Sequence, residues 1–233
     1  MTASALARFA ALIADETRAS FCLALLDGRA WTAGELAGHA GVAPATATEH
    51  LNKLVAGGML SELRQGRHRY VRLADARTAQ LVEDLAAHLP AMPGPLPEPP
   101  RGLRAATASA ALARGRTCYD HLAGRLGVAV TDALERTGHL SRAAGFTVTG
   151  PGLAWLESLG AVASSRRPLA RGCVDWTERR EHLAGVAGAA VCDHVLAQGW
   201  VTRIGTGRAV RVTPAGSHGF TGLFGADPAW DPR

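Results

Sequence analysis

No stretch of the chain approaches the roughly 18 to 20 consecutive apolar residues that a membrane-spanning helix needs. Arg8, Asp15 and Glu16 interrupt the N-terminal stretch that resembles a signal peptide most. The sequence therefore predicts a protein of the cytoplasm with no membrane partner. Cysteine is sparse. Cys22, Cys118, Cys173 and Cys192 are the only four in 233 residues, too few and too scattered for a disulfide framework, and they are expected as thiols. Also missing are a glycine-rich phosphate loop after a strand, a nucleophile elbow and a pair of histidines at helical spacing, so no enzymatic activity is expected.

What is present points to a globular chain with an acidic partner. Hydrophobic residues make up 47% and charged residues 19%, enough apolar surface to offset the entropy of ordering the chain. A net charge of +5 favours a polyanion. The local distribution says more: Leu63 to Arg72 carries Arg64, Arg67, Arg69 and Arg72 with no acid. Six prolines between Pro90 and Pro100 remove backbone donors and favour an extended connection. We therefore expect an N-terminal domain over residues 1–90, a Pro-rich linker over 91–102 and a C-terminal domain over 103–233.

In the first domain, Ala5, Phe9, Leu12 and Ile13, and then Phe21, Leu25 and Leu26, follow helical spacing. From Thr32 the pattern reads helix, Gly41 turn, helix, with Pro44 in the first turn of the second helix and Gly57-Gly58 after its end. Met59 to Arg64 and His68 to Leu73 are strand-like runs around Gln65-Gly66-Arg67, a hairpin. This is a winged helix-turn-helix spanning Thr32 to Leu73. Its second helix would reach base edges in a major groove through Ala45, Thr46, Thr48, Glu49 and Asn52. Lys53 with Arg64, Arg67 and Arg69 of the wing would hold phosphates, giving affinity that falls with salt.

The runs LIADETRASFCLALL and WTAGELAGHAGVAPATATEHLNKLVAGGMLSELRQGRHRYVRL resemble the winged-helix core of the ArsR/SmtB repressors over about residues 5 to 90. The resemblance implies a homodimer built from the first and last helices of this domain, placing two readers on a palindromic double-stranded DNA operator. It also marks a departure. Where thiophilic-metal sensors of that family carry cysteines, this chain has Trp31, Thr32, Ala33 and Gly34, so that metal site is absent.

Beyond the linker the chain matches itself. HLAGRLGVAVTDALERTGHL (His121 to Leu140) and HLAGVAGAAVCDHVLAQGWV (His182 to Val201) are identical at nine of 20 positions, and each follows a Cys-x-Asp. A duplication is inferred, with copies over about 103–165 and 166–220. Each copy reads as helix, turn, helix and hairpin, so the fold class is mainly α with small β-wings: a winged helix-turn-helix followed by two winged-helix-like repeats. The signal is expected in this half. Cys118, Asp120, His121, Cys173, Asp175 and His182 are candidate ligands for a transition metal or groups for thiol-based sensing. Trp155, Trp176, Arg179, Arg180 and Cys192 are candidates for a small-molecule effector site, Arg supplying bidentate anion recognition and Trp a stacking face. The cofactor is unassigned by the sequence: none, or a transition metal. Three readings follow, namely an effector-responsive repressor, a metal- or thiol-responsive repressor, and a winged-helix protein-interaction module that does not read DNA.

Overall fold

The computed structural model describes residues 2–66, 68–88, 103–160, 167–205 and 207–232. The predicted linker over 91–102 and Arg67 lie outside the described residues. The chain divides into two compact units whose main bodies are Met1–Glu83 and Ala106–Arg233.

In the first unit, α1 (Ala3–Ile13) starts at Thr2, whose hydroxyl accepts from the Ala5 amide at 3.3 Å. Asp15 caps α2 (Glu16–Ala24) by accepting from the Arg18 amide at 3.0 Å. The Arg18 guanidinium turns back to donate to the Ala11 carbonyl at 2.8 Å, satisfying an orphan acceptor at the end of α1. After a single 3-10 turn, β1 (Trp31–Thr32) leads into α3 (Ala33–Ala40). Thr32 and Glu35 form a reciprocal capping box: Oγ1 of Thr32 accepts from the Glu35 amide at 3.2 Å and Oε2 of Glu35 from the Thr32 amide at 2.7 Å. Such a cap stabilises a helix start by about 1 kcal/mol.

Gly41 ends α3 in the left-handed region, at φ +67°, where a Cβ would be strained. This is the turn of the helix-turn-helix. α4 (Pro44–Ala56) follows, then a hairpin of β2 (Leu60–Gln65) and β3 (His68–Leu73), and α5 (Ala76–His88). β1 pairs antiparallel with β3, giving a three-stranded sheet of order β1-β3-β2. Phe21, Leu25, Leu26, Leu36, Leu51, Leu54, Met59 and Val71 are buried, matching the apolar positions read from the periodicity. The winged helix-turn-helix expected from Thr32 to Leu73 is present.

The second unit opens with α6 (Leu103–Arg114). Two stretches with one order of elements follow. The first holds β4 (Arg116–Cys118), β5 (His121–Ala123), α7 (Gly124–Arg136), β6 (Leu140–Ser141), β7 (Thr147–Val148) and α8 (Gly150–Ser158). The second holds β8 (Arg171–Val174), β9 (Glu181–Ala184), α9 (Gly185–Ala197), β10 (Val201–Arg203), β11 (Val210–Val212) and α10 (Pro214–Phe224). Each stretch is thus hairpin, helix, hairpin, helix. This corrects the helix-turn-helix read into each copy from the sequence. The His-Leu-Ala segments expected to begin a first helix are strands paired with the preceding Cys-bearing strand. Ladder pairing at a buried position overrides local helix propensity there. Leu122, Leu126, Leu134, Leu183, Val191, Val195, Phe220 and Trp230 belong to one apolar cluster fed by both stretches. No helix among the described residues is long and apolar enough to cross a membrane.

Candidate nucleic-acid interface and buried cysteine–histidine cluster

The register of α4 sorts its side chains cleanly. Ala47, Leu51 and Leu54 face the core, while Ala45, Thr46, Glu49, Asn52 and Lys53 are exposed. Thr48 is half-buried and its hydroxyl donates to the Pro44 carbonyl at 2.9 Å. That bond occupies its one donor, so towards a base Thr48 offers an acceptor. Every α4 residue predicted to read DNA, Thr48 apart, therefore projects to solvent from a helix whose first turn holds Pro44.

The wing holds its arginines in two ways. The Arg64 side chain is 77% exposed, its Nε 3.8 Å from Glu62, a separation that adds little in water. Arg69 is engaged: Nε and Nη2 lie 2.9 Å and 2.8 Å from Glu62 Oε2, and Nη1 donates to Asn52 Oδ1 at 2.8 Å. Sequence spacing treats Asn52 as a base reader and Arg69 as a phosphate holder, whereas the structure joins them through one guanidinium. Glu62 was missed by that reading, because strand alternation marks it only as solvent-facing.

In the second unit the two hairpins carry a matched pair of cross-strand partners, Cys118 opposite His121 and Cys173 opposite His182. All four side chains are buried. Their ligand atoms lie within 4.8 Å of one another. The two sulfurs are 4.0 Å apart and the two Nε2 atoms 3.1 Å apart. Both histidines direct Nε2 inward and Nδ1 towards a carboxylate. His121 Nδ1 lies 3.2 Å from Asp120 Oδ1. His182 Nδ1 lies 3.4 Å from Asp175 Oδ2, within ion-pairing range but not aligned for a hydrogen bond. Of the six predicted ligands, four converge. Asp120 and Asp175 stand behind the histidines.

Asp175 is fully buried and its carboxylate is saturated. Oδ1 accepts from the Thr177 amide (2.9 Å), the Thr177 hydroxyl (2.6 Å) and the Glu178 amide (3.0 Å). Oδ2 accepts from Arg116 Nη2 (3.0 Å) and the Gly124 amide (2.7 Å). Burial alone would raise the Asp175 pKa, but the His182 ring, the Arg116 charge, the Thr177 hydroxyl and the Gly124 amide outweigh it and hold the carboxyl far below its usual range. Hydrogen bonding from Cys118, helped by both imidazoles, outweighs burial at Cys173 and holds that thiol far below the ordinary value. At His182 burial pulls the pKa down, yet Asp175 and Cys173 raise it above normal.

Arg116 is the residue sequence reasoning missed. It is buried completely, stacks over Trp176 with Cζ 4.9 Å from the ring centroid, and donates to the Leu112 carbonyl and the Thr177 hydroxyl, each at 3.2 Å. Comparing the two stretches would not have found it, because the strand position opposite Ala184, as Arg116 is opposite Ala123, holds the exposed Arg171.

The five residues predicted for an effector are dispersed. Trp155 packs on His139 and Phe224, with centroids 5.3 Å and 6.1 Å away. Trp176 carries Arg116. Arg179 adopts φ +55° in the β8–β9 turn, and Arg180 pairs with Asp132 at 2.7 Å. Cys192 sits in the apolar cluster, where burial pushes its thiol up to about 12, so it is a packing group. A cavity of about 460 Å³ lined by Arg114, Arg125 and Arg211 includes none of the five.

Known proteins match at two scales. A helix-turn-helix domain model covers residues 13–62. The uncharacterized HTH-type transcriptional regulator YdfF of Bacillus subtilis (strain 168) is 38% identical over 220 residues, covering 92% of this chain and 95% of that protein. The HTH-type transcriptional regulator CmtR of Mycobacterium tuberculosis is 36% identical over 85 residues, covering 36% of this chain and 71% of that protein. Among solved structures, the homodimeric winged helix-turn-helix domain of Mb0332 from Mycobacterium bovis, a possible ArsR-family regulator, matches at 26% identity and a TM-score of 0.31. That match covers 34% of this chain and 72% of that one.

Proposed function

The chain belongs to the HTH-type transcriptional regulators, and from this premise we propose that it is a cytoplasmic, homodimeric repressor released from its operator by an effector acting on the second unit. The observation that carries the reading is the face of α4: Ala45, Thr46, Glu49 and Asn52 stand in solvent beside a hairpin whose Arg64 is free to meet phosphate. Thr46, Thr48 and Glu49 supply hydrogen-bonding groups for base edges, and Ala45 a small surface for a thymine methyl. Lys53, Arg64 and Arg67 supply sequence-independent affinity. Arg69 orients Asn52 while Glu62 balances its charge.

These roles separate in one experiment. Replacing Arg64 and Arg67 together by alanine should weaken binding to all DNA fragments alike and reduce the slope of log affinity against log salt by about 1 per lost phosphate contact. Thr46→Ala should instead relax the preference among fragments at one base pair, by about 1–3 kcal/mol. Gel-shift titrations at several salt concentrations read both. A wild-type chain showing no preferred fragment would sink the operator reading and favour a protein-interaction role.

Homodimerisation is supported by the surface of the first unit. α1 buries no residue fully, and Leu6 and Leu81 are 71% and 38% exposed on the first and last helices of the winged domain. Such apolar surface on two helices suits an isologous contact. Leu6→Asp with Leu81→Asp should shift the sedimentation coefficient from dimer to monomer and abolish high-affinity operator binding. A double variant that stays dimeric would place the interface elsewhere. Release by an effector requires differential affinity for two arrangements of the readers, and the second unit is its natural seat because it holds the buried polar chemistry.

A further inference from the structure

We propose that Cys118, His121, Cys173 and His182 form a closed tetrahedral site for one divalent d10 cation of the zinc class, stapling the β4–β5 hairpin to the β8–β9 hairpin. The proposal does not rest on the DNA reading, since the site lies wholly within the second unit.

Three independent features carry it. The first is the shape of the tetrad. Ligands at zinc–sulfur and zinc–nitrogen distances of about 2.3 Å and 2.0–2.1 Å, at tetrahedral angles, have sulfurs about 3.8 Å and nitrogens about 3.3 Å apart. The structure has 4.0 Å and 3.1 Å. The second is the orientation of the rings. Both histidines present Nε2 to the shared centre and turn Nδ1 to an aspartate, at 3.2 Å for Asp120 and 3.4 Å for Asp175. The hydrogen bond to Asp120 fixes the His121 tautomer that leaves Nε2 free to ligate, and at His182 the Asp175 carboxylate stands on the Nδ1 side of the ring within ion-pairing range. The third is supply: each hairpin contributes one cysteine and one histidine directly opposite each other in register. Packing alone gives no reason for that composition to recur in both hairpins at one buried point. Two thiols and two imidazoles, all four buried, are costly to take out of water without a shared partner.

The chemistry selects the class of ion. A set of two sulfurs and two imidazole nitrogens in a tetrahedron suits borderline-soft ions without a directional d-shell. With four protein ligands no position is left for water or substrate, so the ion would be structural or regulatory. In the filled site both cysteines ligate as thiolates and both histidines as neutral rings, and the protons they give up pass to solvent. No electron is transferred.

The test uses the full-length chain, stripped with chelator under reducing conditions and titrated with Zn²⁺ against a chromophoric competitor in the absence of DNA. One ion per chain is expected, and Co²⁺ in its place should give the intense visible bands of a tetrahedral thiolate–imidazole site. Cys118→Ser and His182→Gln should abolish uptake, while Cys192→Ser should retain it. Asp120→Asn, at a side chain only partly buried, should weaken affinity about 10–100-fold, as loss of an outer partner does. The Co²⁺ spectrum of the unaltered chain decides the matter even if a variant fails to fold. A chain that takes up no Zn²⁺, a pale octahedral Co²⁺ spectrum, or uptake that survives both ligand changes would overturn the site. So would a Cys118–Cys173 disulfide in a chain that leaves the metal in solution.

Discussion

Changing Arg116 to methionine should destabilise the second unit by about 3–5 kcal/mol, the usual cost of removing one partner from a buried ion pair. Arg116 and Asp175 are both inaccessible to solvent and meet at 3.0 Å. Methionine keeps much of the volume and leaves Asp175 with an uncompensated charge, so the loss is electrostatic rather than steric. Urea unfolding of the full chain followed through Trp176, which lies against Arg116, reads the effect locally. A change under about 1 kcal/mol would show that the pair contributes no net stability. The pH dependence has a defined sign. Because the Asp175 carboxyl is depressed in the folded state, its contribution is complete above the ordinary aspartate range. It is lost only as pH falls below that range towards the lower folded value. Asp175→Asn should therefore flatten the acid limb of the stability curve as well as lower its plateau.

A second large effect is expected at Trp230, almost at the end of the described chain. Its ring is buried, stacks on Phe220 with centroids 4.7 Å apart, and donates from Nε1 to the Gly225 carbonyl at 3.0 Å. Asp227 sets the 3-10 turn Pro228–Trp230 that delivers it, accepting from the Ala229 amide at 2.8 Å. Trp230→Ala should cost about 3–5 kcal/mol, the range for large aromatic side chains cut out of a core. Trp230→Phe should recover most of that but leave the Gly225 carbonyl without its donor. Thermal unfolding of the three proteins would rank them. Equal midpoints for wild type and Trp230→Ala would mean that this segment is an ornament on the fold.

Neither effect could be read from the sequence, whereas most of the winged domain could. Leu36, Leu51 and Leu54 recur at helical spacing, Gly41 and Pro44 punctuate the turn, and the capping residues stand where a helix must begin. Local signals agree with one another, and the fold follows them. The C-terminal unit obeys longer-range rules. His121 to Ala123 carry no helix-breaking signal of their own, and they are strand because another strand lies beside them. Repetition of Cys-x-Asp and His picks out six residues but not the four among them whose side chains meet, with Asp120 and Asp175 behind the histidines. That division depends on which way two imidazole rings face, a matter of tertiary packing. Arg116 opens a three-residue strand whose burial local sequence does not announce, its counterpart Arg171 being exposed, and Arg69 is drawn towards Asn52 by a strand neighbour, Glu62, that alternation alone treats as inert surface.

The meeting of the two hairpins has one more consequence. At Gly127 a Cβ would lie 2.4 Å from the Leu122 carbonyl oxygen and 3.7 Å from the His182 side chain; at Gly188 it would lie 2.5 Å from the Leu183 carbonyl oxygen and 3.1 Å from the His121 side chain. Each helix thus yields room to the histidine of the other stretch, as well as to its own strand. The two halves are interlocked like clasped hands. Neither can accept a bulkier residue at its glycine without disturbing its own strand, and at Gly188 a side chain would also crowd His121, so a change in one stretch is felt in the other. The two glycines and two histidines therefore form one unit across both stretches, and a fragment holding one stretch would present a half-formed socket.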